Sequence, residues 1–408
     1  MAVEGSIPGA AAGVTFRRAG IPQGLIVALA GFFPVMAIVS LAPAVPTLLH
    51  HFRDVPAAHT LVPLIVTAPG LMIALLAPFV GWAADRFGRR RLILGATLLY
   101  GIFGSLPFLA SSLPTIFASR FALGAAEAAI LTLTNVLIAD YFDANGRRLW
   151  LTVQSVLGPV LGVATITASG MLTSHWWNGA FLIYLVALPM FVLMVPTLFE
   201  PVRANEPAQA QAGDPEEGGF PWRAVARYVP FTLFVAILYY VFIVQGGLAF
   251  EAIGLADASH LGGLLALASL GVPVGGLLFG FTSRRLPIGL VLAMMLAIMG
   301  AGMVGIGLAR TIALMVAASF VQQIGAGMCV ASLIYWVSGL LPPTHRGRGF
   351  GLWSSAFFLG QFLSPALVGP IASGLGSVQA MFVLTGGAGL LVALVAALLR
   401  RRLEAVAL

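Results

Sequence analysis

Apolar residues run through this chain in long unbroken stretches, separated by short polar or basic breaks. The stretches have the length of about 20 residues that a helix needs to cross a bilayer. They lack the period-2 alternation of a lipid-facing strand. Backbone groups in lipid must be satisfied within the segment, so helices are predicted. Twelve spans are predicted, at about 22–48, 60–82, 91–111, 115–140, 149–172, 179–199, 229–251, 260–282, 287–309, 311–340, 350–375 and 378–399. Very short breaks, such as Ser112-Leu113-Pro114, join the third span to the fourth, the ninth to the tenth and the eleventh to the twelfth. Such breaks suit antiparallel neighbours. The first apolar run is too long for the core of a cleavable signal peptide, and none is expected.

Composition agrees with lipid as the solvent. Of 408 residues, 60% are hydrophobic and only 9% are charged, against about 25% charged in a soluble domain. All 21 basic residues are arginine. With the N-terminus cytoplasmic, only Arg53 and Arg310 fall outside and Arg120 falls within a span. Every other arginine is on the cytoplasmic side, which is the positive-inside pattern. This accounts for the net charge of +7, so no nucleic-acid partner is expected. The basic turns are expected to meet anionic lipid. The single cysteine, Cys329, forms no internal disulfide and reads as a packing residue.

The polar stretch at 200–228, rich in Pro, Glu, Ala and Gln, reads as a flexible linker. The expected organisation is a cytoplasmic tail at 1–20, a six-helix bundle at 21–199, the linker, a second bundle at 229–400, and a tail at 401–408. The halves repeat. Gly81-x-x-x-Asp85-Arg86 is echoed by Gly280-x-x-x-Arg284-Arg285, Ser119 to Gly124 by Ser319 to Gly325, Asn145-Gly-Arg-Arg by His345-Arg-Gly-Arg, and Gly158-Pro by Gly360-Gln. On this alignment Val321 and Met328 stand where the first half has Arg120 and Glu127. Two six-helix halves with a site between them near the midplane are a known transporter plan.

Residues 81–91 (Gly81-Trp-Ala-Ala-Asp85-Arg86-Phe-Gly88-Arg89-Arg90-Arg91) lie between the second and third spans. They match at every fixed position the Gly-x-x-x-Asp-Arg-x-Gly-Arg-Arg turn of the major facilitator superfamily. On this turn and the duplicated twelve-span plan, the chain resembles that superfamily, and within it the drug and metabolite exporters. The resemblance covers essentially residues 20–400. It implies an all-α membrane protein with two pseudo-symmetric bundles that rock about a central cavity. It also implies a gating role for Gly81, Asp85, Arg86, Gly88, Arg89 and Arg90. In the family the partner of the Asp85 equivalent is the start of the eleventh helix, here near Phe350 to Leu352. Arg89 can pair with Asp140, with Asp143 as the competitor. For Arg90 and Arg91, setting topology is an equally good reading.

The fourth span carries Arg120 and Glu127, seven residues apart. They share a helix face, roughly 10 Å apart along the axis, with Gly124 between them leaving room for a helix or a ligand. Charges at this depth are costly and usually face a cavity. Movement between wet and dry surroundings would let Glu127 load and release a proton. Substrate contact and a purely structural tie are the competing readings. Arg120 also matches the family's fourth-helix arginine, linked there to proton transfer. The first span has no acid, unlike many proton-coupled exporters.

Gly158-Pro159-Val-Leu-Gly162 in the fifth span partly matches the exporters' antiporter motif, with Gln154 in place of its first glycine and Val163 in place of its last. Ordinary helix packing is the alternative. The family's cavity is lined by the first, fourth, seventh and tenth spans. Phe33, Gly124, Tyr239, Tyr240, Gln245, Gln322, Gln323, Tyr335 and Trp336 are the corresponding candidates. Aromatics with a few amides suit an amphipathic organic solute, although each aromatic could instead face lipid or pack between helices.

No nucleotide-binding Gly-x-x-x-x-Gly-Lys motif is present and there is no lysine, which argues against self-contained ATP-driven transport. No catalytic constellation stands out, and an enzyme is not expected. No metal or cofactor is expected; His50, His51 and His59 read as interfacial. The reading is a monomeric multi-pass protein of a bacterial-type inner membrane, with both termini cytoplasmic, exporting small amphipathic molecules against protons. A symporter or uniporter for uptake of a small metabolite is the alternative.

Overall fold

The structure, a computed structural model, describes residues 19–56, 58–201, 220–255, 257–342 and 345–400, without the side chains of Asp85, Ala144 and Ser155. Most of the N-terminal tail, most of the linker and the 401–408 tail lie outside the described residues. Among these there is no strand. Twelve helical segments are long and apolar enough to cross a membrane. They are α1 (Ile21–His51), α2 (Ala58–Ala84), α3 (Arg89–Phe108), α4 (Leu113–Tyr141), α5 (Asn145–His175) and α6 (Gly179–Thr197), then α7 (Trp222–Glu251), α8 (Ala258–Thr282), α9 (Ile288–Leu308), α10 (Ile312–Leu340), α11 (Arg346–Leu375) and α12 (Val378–Leu398). Large apolar side chains such as Phe79, Leu109, Leu277 and Leu391 are exposed around the outside, as lipid requires and water forbids.

Proline and glycine break some spans. Helix α1 is a chain of pieces, Ile21–Ala30, Phe33–Val39, a 3-10 turn at Ala42–Ala44, and Val45–His51. Pro34, Pro43 and Pro46 open the later pieces, each removing a backbone donor from the ladder. Helix α8 breaks between Ala258–Ser269 and Gly271–Thr282. Helix α7 begins at Trp222, so 222–228, read above as linker, are helical. Arg223 and Arg227 make that turn look polar, but it is the membrane-surface end of an apolar helix.

In the first half α4 packs on α2 and α3, and α6 packs on α3 and α5; in the second, α9 packs on α10 and α12, and α7 on α11. The halves meet along α2 with α11 and along α5 with α8. These two seams are equivalent under the repeat, because α8 and α11 occupy the places of α2 and α5. At the end away from the arginine-rich turns the halves are closed. A Cβ on Gly170 of α5 would lie 2.9 Å from the Cα of Gly262 on α8, and the reverse holds at the same distance. Only glycine permits that approach. The imidazole of His50 in α1 contacts the carboxylate of Glu251 in α7 across the same end. Towards the arginine-rich end the seam parts: α5 packs against Ala258–Ser269 rather than Gly271–Thr282.

Candidate functional site

Where α5 and α8 part, a cavity of about 480 Å³ lies between the halves. Val35, Val39 and Ala42 of α1 line it, with Gln154, Gly158, Pro159, Gly162, Val163 and Ile166 of α5. The second half supplies Tyr239, Phe242 and Ile243 of α7, Leu265, Ser269 and Val272 of α8, and Gln323 and Val330 of α10. No charged side chain is among them. Gly158 and Gly162 have nothing within 4 Å of the point where a Cβ would stand, so they widen the space rather than serve a helix contact.

Gly158, Pro159 and Gly162 of the antiporter-motif segment line the cavity, and of the residues expected in it Tyr239 and Gln323 do. The others do not. Phe33 stacks on Tyr100 at 5.0 Å within the first half. Gly124 packs on α2, where a Cβ would lie 2.6 Å from the Pro69 backbone. Tyr240 packs on Phe357 at 5.7 Å, and Trp336 on Phe231 at 5.1 Å. Gln245 is buried in α7 and Gln322 in α10. Tyr335 is exposed, edge-on to Phe279 at 6.3 Å. The reason is helical geometry. Consecutive residues point about 100° apart at 3.6 per turn, so one member of Tyr239-Tyr240 and of Gln322-Gln323 faces the cavity and the other faces a neighbouring helix.

Arg120 and Glu127 of α4 are buried and are not among the residues lining this cavity. The Arg120 Nε donates to the Ile65 carbonyl of α2 at 3.2 Å, and Nη2 to the Ala37 carbonyl of α1 at 3.4 Å. Its guanidinium lies 5.0 Å from the centre of the Tyr184 ring of α6. The Tyr184 hydroxyl donates to the same Ala37 carbonyl at 2.6 Å, and the Ser40 hydroxyl lies 3.3 Å from it. A carbonyl of the broken α1 and one of the unbroken α2, whose Ile65 carbonyl Pro69 leaves without a helical donor, thus hold the cation. The Nη1 atom of Arg120 and the Oε1 atom of Glu127 have no partner. No ion pair joins the two residues among the described contacts. A buried polar atom left without a partner is costly, and both of these orphaned atoms are on α4.

The turn at 81–91 is built from within the first half. Gly88 adopts φ +88°, which a side chain resists, and so lets α3 start sharply. The Glu200 carboxylate accepts from the backbone amides of Arg89 at 2.7 Å and Arg90 at 2.9 Å. It thereby caps α3 and meets its positive dipole end. Reciprocally, Arg90 caps the end of α6, donating to the Leu198 and Val195 carbonyls, both at 2.7 Å. Arg89 Nε pairs with Asp140 at 3.1 Å, whereas Asp143 accepts from Gly146 N at 2.8 Å and caps α5. Arg86 lies over the rings of Trp82 and Phe87, and Gly81 has open space beside it. The Asp85 side chain, expected to meet α11, is outside the described residues. No group of three or more His, Cys, Asp or Glu side chains that could hold a metal occurs among the described residues.

The family description "Major Facilitator Superfamily" matches residues 27–262 and 247–407, nearly the whole chain. The chain belongs to this superfamily. It is therefore a membrane transporter rather than an enzyme. It is 26% identical over 349 residues to a gentisate transporter of Corynebacterium glutamicum, covering 81% of this chain and 77% of that one. It is 34% identical over 174 residues to the multidrug efflux pump LfrA of Mycolicibacterium smegmatis, but that match covers 40% of this chain and only 32% of the pump. In structure it resembles the nucleoside transporter NupG with a TM-score of 0.75 at 12% identity, covering 92% of this chain and 99% of that one. It also resembles a D-xylose-proton symporter with a TM-score of 0.72 at 16% identity, covering 92% and 96%.

Superfamily packing corrects the internal alignment. Gly124 of α4 packs on Pro69 and Met72 of α2, whereas Gly327 of α10 packs on Val272 and Gly275 of α8. Matching these contacts places Gln323 and Val330, not Val321 and Met328, opposite Arg120 and Glu127. Sequence echoes locate the repeat, but backbone contact fixes helix register to the residue. The sequence reading also missed Glu200 and Tyr184, and noted Gln154 only as a motif departure. An acid directly after a span, a lone tyrosine within one, and a glutamine in place of a motif glycine were the available signals.

Proposed function

We propose that this chain is a secondary transporter that exports small amphipathic, aromatic organic molecules in exchange for protons by alternating access. The observation that carries this reading is the cavity between the halves, closed at one end and walled by aromatic, apolar and amide groups. Glu127 supplies the coupling in this proposal: a buried carboxylate with an unpartnered oxygen, next to a fixed cation, suits a site that is loaded in one conformation and emptied in the other. The Gly-Pro-x-x-Gly segment on the cavity wall and the efflux-pump relative support export. The positive-inside arginines support an inner membrane of bacterial type, with the open end and both termini cytoplasmic. No cofactor beyond the proton gradient is invoked, and the working unit is taken as a monomer.

The gentisate-transporter match, which covers most of both chains, favours a second reading, proton-linked uptake of a small aromatic acid. One assay separates the two. Accumulation of amphipathic dyes and of aromatic acids is measured in cells lacking their own carriers, with and without an uncoupler, for wild type and Glu127→Gln. Export predicts lower accumulation with wild type, abolished by either treatment. Higher accumulation of the acids establishes the second reading. Unaltered accumulation across the panel, with the protein present in the membrane, overturns both.

A further inference from the structure

The cavity wall offers hydrogen bonds but no charge. We propose that the transported species is an uncharged aromatic solute carrying a group that both donates and accepts hydrogen bonds, and that Gln154 and Gln323 select it. This rests on the cavity being the solute site, as argued above, and goes further by stating what enters it.

Four polar side chains line the cavity: Gln154, Tyr239, Ser269 and Gln323. The Ser269 hydroxyl already donates to the Leu265 carbonyl at 2.8 Å, so towards a solute it can only accept. Neither glutamine amide has a hydrogen-bond partner among the described residues. Amides in such a place need partners from water or solute. Both are held in position by glycine. The Gln154 Nε2 atom lies 1.8 Å from the point where a Cβ on Gly31 of α1 would stand, so α1 makes room for that amide. The Gln323 Cβ lies 3.0 Å from the equivalent point on Gly271 of α8.

Tyr239 and Phe242 are three apart on α7 and share a helix face, giving an aromatic solute a surface to lie on. The cavity volume of about 480 Å³ is in the usual range for a small organic ligand.

A carboxamide side chain can present either its oxygen or its nitrogen, so the glutamines do not by themselves choose the sign of a charge. The exclusion of charge comes from the wall. An ion there meets no counter-charge on the wall, since neither Arg120 nor Glu127 lines it. Desolvating an ion without a partner is penalised heavily, whereas a neutral donor–acceptor group is satisfied by the two amides. One glutamine comes from each half, Gln154 on α5 and Gln323 on α10. A solute held by both ties α5 to α10.

Cys329, the chain's only cysteine, is buried, so a fluorogenic thiol reagent reports unfolding of the purified full-length protein. Melting temperature is followed against three probes of one shape: 2-naphthamide (neutral), 2-naphthoate (anionic) and 2-naphthamidinium (cationic). The expected result is stabilisation by 2-naphthamide at a concentration at least about tenfold lower than by either ion. Gln154→Leu and Gln323→Leu should each raise the concentration needed about tenfold, the loss of one hydrogen bond, with the ligand-free melting temperature kept. Gln323→Glu should turn the preference to 2-naphthamidinium, a check that does not rely on loss of binding. Equal or tighter binding of an ion by wild type overturns charge selection but leaves the cavity as the solute site. Equal binding of 2-naphthamide by both leucine variants overturns the role of the amides. Stabilisation by none of the probes overturns the proposal, and the accumulation assay then decides separately whether the transport reading stands.

Discussion

Helices α4 and α10 hold equivalent places in the two halves, yet their chemistry differs at every polar position that the packing aligns. Four residues before the glycine that touches its neighbour, α4 has Arg120 and α10 has Gln323; three residues after it stand Glu127 and Val330. The first pair is buried and absent from the cavity wall. The second pair lines the cavity. Duplication has preserved the backbone contact while the side chains have taken separate tasks. The ionisable pair of α4 is absent from the cavity wall, and the residues of α10 at the same positions line it without charge.

The sharpest test of the contrast is a matched pair of substitutions. On the proton-exchange reading, Arg120→Leu should reduce proton-linked flux in proteoliposomes by about a hundredfold, since it leaves Glu127 buried without a nearby cation. It should also lower the melting temperature by freeing the Ile65 and Ala37 carbonyls. Gln323→Leu removes no protein hydrogen bond and should leave the melting temperature unchanged. If both lose stability equally, the division of tasks between α4 and α10 fails.

The shared backbone contact should respond alike in both halves. Gly124→Leu and Gly327→Leu each drive a side chain into the backbone of a packed neighbour, where a Cβ alone would come within 2.6 and 2.0 Å. Overpacking of this kind costs about 3 kcal/mol or more. Both variants should therefore melt well below wild type or fail to give a monodisperse protein. A tolerated leucine at either glycine would undo the corrected register.

The smallest effect belongs to the turns. In the first half Glu200 caps α3; the equivalent second-half turn has Arg284 and Arg285, with Arg285 lying 3.8 Å over the Phe281 ring. Glu200→Ala should cost about 1 kcal/mol, the usual worth of an N-cap, seen as a modest fall in melting temperature. Arg285→Ala should cost less, because an exposed cation–π contact is worth about 0.5–1 kcal/mol. The reverse order would show that the acid is dispensable to the first-half turn.

Much of this was legible from residues alone. Twelve helices, their order and the arginine-rich turns follow from apolar length and from charge, which are local properties. The Arg89–Asp140 pair was readable because both lie at helix ends on the same side of the membrane. Tyr239 and Gln323 were named for the cavity along with seven residues that do not line it. Periodicity in an apolar helix is blind there: lipid, a neighbouring helix and a dry cavity wall all accept the same side chains, so Tyr240 and Tyr239 look equivalent until their neighbours are known. The clasp of Glu200 and Arg90 was hidden because it joins residues more than a hundred apart.

The sequence by itself determined that this protein lives in lipid, that it is two copies of a six-helix plan, and to which superfamily it belongs. Exclusion of water from long apolar helices and a strict backbone motif at a turn leave little alternative. Only the tertiary structure decided which glycines face a neighbour and which face open space, that Arg120 and Glu127 are buried and do not line the cavity, and that Gln154 enters its wall. Those outcomes depend on helix rotation and register, which are set by backbone contacts between distant segments and not by the composition of any one of them.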